Sequence, residues 1–256
     1  MPENGVYHNL ILAKINTFYP GHASQMMHAF LGVGQMSFVK HAIFVNSDAP
    51  KLTSHDEIIR YILNRINVDD ILVSRGATDH LDHASPKFAV GGKLGLDCTG
   101  DEIDELGITL LEDSELLSKM KNISSDIKGL KQYYKDTKNP ICVISVEKTR
   151  SQKYLFEELK ALFSHIKILV IVDEKANDLE NPYMLIWRVT NNMDSSRDLY
   201  IEGNTICLDG TNKNSLDGFT RRWPGDVNCT KSVIDSLRER NIIDIDDEFI
   251  KKHQLY

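Results

Sequence analysis

The first residues in this chain whose types and spacing suggest chemistry are a lysine and two glycines. Gly91, Gly92 and Lys93 stand together in GGKLGLDCTGDE (residues 91–102), and bare backbone beside a cation is one way to hold a phosphate. A phosphate loop, however, needs a longer glycine-spaced run that ends at a helix opening with Ser or Thr. An apolar, strand-like stretch follows Lys93 instead, so Gly91 and Gly92 are expected to allow a backbone angle or a close approach that side chains would forbid. The pair Asp97 and Thr99 in LGLDCT recurs as Asp209 and Thr211 in ICLDGT, and each carboxylate is expected to cap a turn through its threonine rather than act as a base.

Lys40 opens the strand HAIFVN after a helical stretch, where an ammonium can meet a cofactor phosphate or simply stay solvated at a strand edge. The segment ATDHLDHASPKF (77–88) gathers Asp79, His80, Leu81, Asp82 and His83 after a strand, at the kind of strand end where open α/β sheets place ligands. Histidine and carboxylate suit several divalent ions, which makes a metal site from Asp79, His80, Asp82 and His83 an alternative. Alternating loop residues need not converge, so the expectation is no metal site. The four cysteines, Cys98, Cys142, Cys207 and Cys229, have no C-x-x-C spacing and read mainly as small buried hydrophobes rather than disulfides or a zinc site.

The elements that must position these residues come in two similar sets. NLILAKI (9–15) leads through a helical stretch to HAIFVN (41–46), and ICVISVE (141–147) leads through another to KILVIVD (167–173). A second helix and a third strand then follow in each set, HDEIIRYILNRIN to DILVS and NPYMLIWRVTNNMDSSRD to LYIEG, with Pro182 suited to a first turn. The fold class is therefore α/β, two βαβαβ halves of mostly parallel sheet with helices on both faces, over residues 1–100 and 140–226. Residues 101–139 read as a charged, mostly helical connector without a site, and 227–256 as a tail with a short amphipathic helix.

With 256 residues and 41% hydrophobic content the chain can bury a core. A net charge of −7 spread along the sequence argues against nucleic acid as a partner. No apolar run approaches the roughly 20 residues that cross a bilayer, and the N-terminus lacks a basic segment before an apolar one, so the expected location is the cytoplasm without stable membrane insertion.

FVKHAIFVNSDAP followed by HLDHASPKFAVGGKLGLDCTGDE resembles the C-terminal part of the UbiD-like decarboxylases, the polyprenyl-4-hydroxybenzoate carboxy-lyases of quinone biosynthesis. GVYHNLILAKINTFYPGHA, IWRVTNNMDSSRDLYIEG and LDGTNKNSLDGFTRRWPGD extend the resemblance over Gly5 to about Thr99 and Ile168 to about Asp226. It implies a prenylated flavin mononucleotide, held with a divalent metal (Mn or Mg) and potassium, that exchanges the carboxylate of an aromatic or unsaturated acid for a proton. It places Lys40 at the flavin phosphate and puts the loop with Asp79, His80, Leu81 and Asp82 on the substrate side. The family's catalytic Glu-Arg-Glu set and metal ligands belong to an N-terminal flavin-binding domain with no counterpart in these residues. The expectations are no catalytic residue here, no turnover or tight flavin binding by the chain alone, a role as a separate piece or split subunit, and a homodimer in solution. An α/β assembly module or a nucleotide-binding protein are the competing readings, although no G-x-G-x-x-G follows either first strand.

Overall fold

A computed structural model describes residues 9–254; Gly5 to His8, where the resemblance begins, lie outside the described residues. The apolar, β-branched runs form strands β1 (Leu10–Ile15), β2 (His41–Asn46), β3 (Ile71–Ala77) and β4 (Val90–Cys98) in one sheet. The second sheet holds β5 (Ile127–Tyr133), β6 (Ile141–Val146), β7 (Ile168–Asp173), β8 (Leu199–Glu202) and β9 (Thr205–Asp209).

The strand orders are β1-β2-β4-β3 and β5-β6-β7-β9-β8, so the first sheet repeats as β6-β7-β9-β8 within the second. Register extends the match to single residues. His41 pairs with Leu10 and Leu94 as Ile168 pairs with Ile141 and Ile206, which makes Lys40 equivalent to Lys167 and Asp97 to Asp209.

Two expectations need correction. Each half has the expected β-α-β-α-β order, but its third strand is not parallel: β3 and β8 run antiparallel to β4 and β9, and an added fourth strand of each set sits parallel beside β2 or β7. The physical reason is loop length. A parallel neighbour requires a crossover of a dozen or more residues, usually a helix, whereas Glu202 and Thr205 are joined across Gly203 and Asn204 alone, and residues 78–89 carry no helix. The connector is also not mostly helical, because it supplies β5, which pairs antiparallel with β6 through the alternation Ile127, Leu130, Gln132.

Helix α1 (His22–Gly32) covers one face of the first sheet, where Met27 and Leu31 meet Ala42 and Phe44. Helices α2 (His55–Leu63) and α5 (Pro182–Asn192) join a second core in which Val45 of the first sheet and Val143, Val170 and Val172 of the second share one apolar space. On the far side, α3 (Asp113–Ile123) and α4 (Gln152–Glu158) cover Ile144, Leu169 and Ile171. Alternate residues of β7 thus face different cores, as a strand buried on both sides requires.

In α2, Ile58 and Ile62 are one turn apart on the buried face, with Asp56 and Glu57 in the first turn near the positive end of the helix dipole. In α5, Pro182 opens the helix and the Asn181 side chain accepts the Met184 amide at 3.2 Å. The short α6 (Ser195–Asp198) follows it, and α7 (Lys231–Glu239) and α8 (Asp247–His253) form the tail. Among the described residues no helix is long and apolar enough to cross a membrane.

Candidate functional site

Because β3 is antiparallel, its carboxyl end points toward the amino ends of β1, β2 and β4. The 78–89 loop therefore folds over Lys40, not over the carboxyl ends of the parallel strands as expected for an open α/β sheet. Lys40 is fully buried, and its Nζ donates to Asp82 Oδ1 at 2.9 Å. Asp82 in turn accepts the amides of Ala84 and Ser85 and the Ser85 hydroxyl. Burial alone raises a carboxyl; the Lys40 ammonium and these hydrogen bonds outweigh it and hold Asp82 below the ordinary carboxylate range.

The other loop residues separate. His80 and Leu81 are exposed, His80 against the Phe88 ring, and Asp79 Oδ1 accepts the Leu81 amide within the turn. His83 turns inward. Among the described residues no three His, Cys, Asp or Glu side chains stand together as metal ligands would.

The glycines have a spatial reason. A Cβ on Gly91 would lie 2.5 Å from Asp194 Oδ2, and one on Gly92 would lie 2.5 Å from Ser195 Oγ. Gly92 also donates its amide to Asp194 Oδ2 at 2.9 Å. The close approach expected from sequence is thus to the entry of α6 in the second half. Lys93 holds no anion: its buried Nζ donates to the carbonyls of Ser37 at 2.6 Å and Val39 at 2.7 Å. Burial, followed by the Lys40 charge, pulls Lys93 down to about 8.

These contacts place the amino edge of the first sheet against the carboxyl edge of the second. Asn192 spends its two amide protons on the Gly210 carbonyl and Asn212 Oδ1, both at 2.9 Å, so its Oδ1 accepts from His83 Nε2 at 3.3 Å. Arg221 donates to the carbonyls of Ser85 and Asp82, and Asn9 Nδ2 donates to Asn191 Oδ1 at 2.7 Å. His41 lies between the sheets, fully desolvated beside Lys40, and is held to about 3, so its ring is neutral at pH 7. Among the described residues its Nε2 and the Ser195 Oγ have no hydrogen-bond partner.

The second half carries a matching polar cluster at its own carboxyl edge. Thr211 donates both its amide and its hydroxyl to Asp209 Oδ1, as Thr99 does to Asp97, so the turn-capping expectation holds in both copies. Asp209 also meets the buried Lys213 at 3.0 Å, with Asp198 Oδ1 at 3.7 Å on the same ammonium. Lys148 bridges Asp217 at 2.6 Å and Thr211 Oγ1 at 2.9 Å. Asn192, Asp194, Asp198 and Lys213 were not singled out from sequence. The available signal was several polar residues packed between apolar ones in RVTNNMDSSRD and LDGTNK, where unpaired burial would be costly.

The domain family described as the 3-octaprenyl-4-hydroxybenzoate carboxy-lyase C-terminal domain matches residues 1–98 and 107–236. The chain belongs to this family. An uncharacterized protein of Helicobacter pylori (strain ATCC 700392 / 26695) is 50% identical over 244 residues, 95% of this chain and 39% of that protein. One from Aquifex aeolicus (strain VF5) is 36% identical over 100 residues, 39% of this chain and 20% of that protein. The chain thus spans about two fifths of its Helicobacter relative. Among solved structures, an evolved dimeric form of the UbiD-class enzyme HmfF from Pelotomaculum thermopropionicum in complex with prFMN is 14% identical with a TM-score of 0.40, covering 68% of this chain and 44% of that one. The closed form of Sedimentibacter hydroxybenzoicus vanillic acid decarboxylase is 13% identical with a TM-score of 0.39, covering 66% and 44%.

The flavin phosphate expected at Lys40 can be weighed against this arrangement. An ammonium is a suitable donor, but this arrangement does not present it: Lys40 is covered by the 78–89 loop and already neutralised by Asp82. A phosphate reaches Lys40 only by taking the place of Asp82.

Proposed function

We propose that this chain is the C-terminal domain of a prenylated-flavin decarboxylase acting on aromatic or unsaturated acids of the 4-hydroxybenzoate type, and that it closes the cofactor and substrate site of a flavin-binding partner domain. The observation that carries the reading is the Lys40–Asp82 pair, a buried cation whose single counter-ion rides on a surface loop with an exposed tip at His80 and Leu81. A phosphate can replace Asp82 there without leaving Lys40 unpaired, because one anion is exchanged for another. Exchange of this kind avoids the cost of an isolated buried charge. In this reading the loop with Asp79, His80, Leu81 and Asp82 is the substrate-side loop of the assembled site.

When bound, the flavin and its metal and potassium ions supply the decarboxylation chemistry. The residues of this chain would bind, cover and exclude water, and none is assigned a proton-transfer role. Quinone biosynthesis as the pathway, the cytoplasm as the location and a homodimer belong to the same reading. Met27 is committed to the core, which leaves the half-buried Met26, Phe30, Trp187 and Trp223 as the candidate interface residues.

A flavin absorbance titration tests the proposal. The flavin-binding part is titrated with prenylated flavin in the presence and absence of this chain, and turnover of a 4-hydroxybenzoate-type acid is followed in both. Tighter flavin retention and turnover only with the chain present would support the reading. Equal retention and turnover without it would remove the domain from the site and favour a purely assembly role, for which the sealed Lys40 is the structural argument.

A further inference from the structure

The internal repeat gives Lys40 a counterpart in Lys167, and the two lysines are treated differently. Their backbones are equivalent: the Lys40 carbonyl accepts the Leu94 amide at 2.8 Å, and the Lys167 carbonyl accepts the Ile206 amide at 2.9 Å. The next shell matches as well. Lys93 donates to the Val39 carbonyl where its counterpart Thr205 donates to the Ile166 carbonyl at 3.0 Å.

The difference lies in the hairpin that follows. In the first half, residues 78–89 fold back and bring Asp82 to Lys40. In the second, the turn closes at Gly203 and Asn204, and no carboxylate is delivered. Lys167 is only 8% exposed, and among the described residues its ammonium has no hydrogen-bond or ion-pair partner. Burial alone lowers its affinity for a proton, with no neighbouring charge to offset it. Glu202, which lines the same space as Lys167, is taken by Lys160 at 3.1 Å, and Lys160 also holds Glu157 at 2.7 Å.

Lys167 borders an open surface pocket of about 370 Å³ at the amino edge of the second sheet, lined by Phe163, Lys160, Glu202 and the backbone of Gly107 and Gly203. A Cβ on Gly107 would stand 3.5 Å from Lys167 Nζ, so the bare backbone lies against the ammonium. The space is large enough for a small molecule with its water, and among the side chains that line it two lysines, Lys160 and Lys167, stand against one carboxylate, Glu202.

We propose that this pocket binds a small oxyanion, a phosphate or a carboxylate, which takes at Lys167 the place that Asp82 takes at Lys40. The partly buried ammonium supplies the charge and the donors, and the short turn leaves the ligand room to enter.

Calorimetric titration of the full chain with inorganic phosphate, at constant ionic strength set by chloride, tests this, with sodium acetate as a second arm. Saturable binding of one phosphate per chain is expected, and it should vanish in Lys167→Met. Competition by acetate at similar concentrations would identify a general carboxylate site, and its absence a phosphate site. Two substitutions on the exposed rim guard against a folding artefact. Asn204→Asp supplies an internal counter-ion and should weaken binding about tenfold, while Glu202→Gln removes a competing carboxylate and should tighten it. No saturable heat with either anion, or the same affinity in Lys167→Met, would overturn the proposal.

Discussion

At the scale of single residues, the chain concentrates its buried charge where the two halves touch, and each group there has a definable energetic role. Lys40 and Asp82 are both almost fully buried, so removing one partner leaves the other uncompensated. Asp82→Ala should cost about 3–5 kcal/mol in chemical denaturation, while the double change Lys40→Met with Asp82→Leu should recover most of it. His41 offers a pH test. Its folded value near 3 lies below the ordinary 6.5, so the unfolded chain binds the extra proton throughout that window, and stability falls as pH drops from 6.5 toward 3. Between pH 6.5 and pH 5 the wild type should lose about 1.6 kcal/mol more than His41→Gln, read from urea midpoints at the two pH values. Asp82 shifts in the same direction but titrates below the ordinary carboxylate range, so its contribution disappears only in stronger acid. The residue types at these positions were readable from sequence, Lys40 and Asp82 both among them, but not that they pair. A lysine and an aspartate 42 positions apart give no local signal of contact.

At the scale of elements, the sequence patterns located the helices and most strands because apolar residues recur at 3.6 or 2 positions wherever one face is buried. They did not reveal strand direction. Direction depends on connection length, and EGNT between β8 and β9 is a hairpin signal that was legible in principle, with Gly203 at a φ of +54 supplying the left-handed turn conformation. The strand β5 was obscured by the lysines of IKGLKQY, which put Lys128 and Lys131 on an edge where charge is tolerated. The packing of β4 against α6 predicts a sharp difference between glycines. Gly92→Ala drives a methyl into Asp194 and Ser195 and should cost about 1–3 kcal/mol, whereas Gly100→Ala meets nothing within 4 Å and should be close to neutral, as thermal unfolding of the two variants would show.

At the scale of the whole molecule, the repeat and the family resemblance agree on one α/β domain with a shared core rather than two independent halves. Val45, Cys98, Val143, Val170 and Val172 pack in a single apolar cluster, so unfolding should be one cooperative transition, with coincident fluorescence and circular dichroism curves. What the repeat does not preserve is the polar dressing at the amino edges: one lysine is covered by its own loop and the other is left open. The central claim is that the covered lysine exchanges its loop carboxylate for a cofactor phosphate when the flavin-binding part is present. The measurement that tests it most directly is prenylated-flavin retention in the complex of that part with this chain, comparing Lys40→Gln and Asp82→Asn by flavin absorbance after gel filtration. Lys40→Gln is expected to lose the flavin while Asp82→Asn keeps it at least as well as wild type, because the phosphate no longer competes with a carboxylate. Equal loss in both variants, or full retention in Lys40→Gln, would make the pair a structural ion pair and contradict the claim.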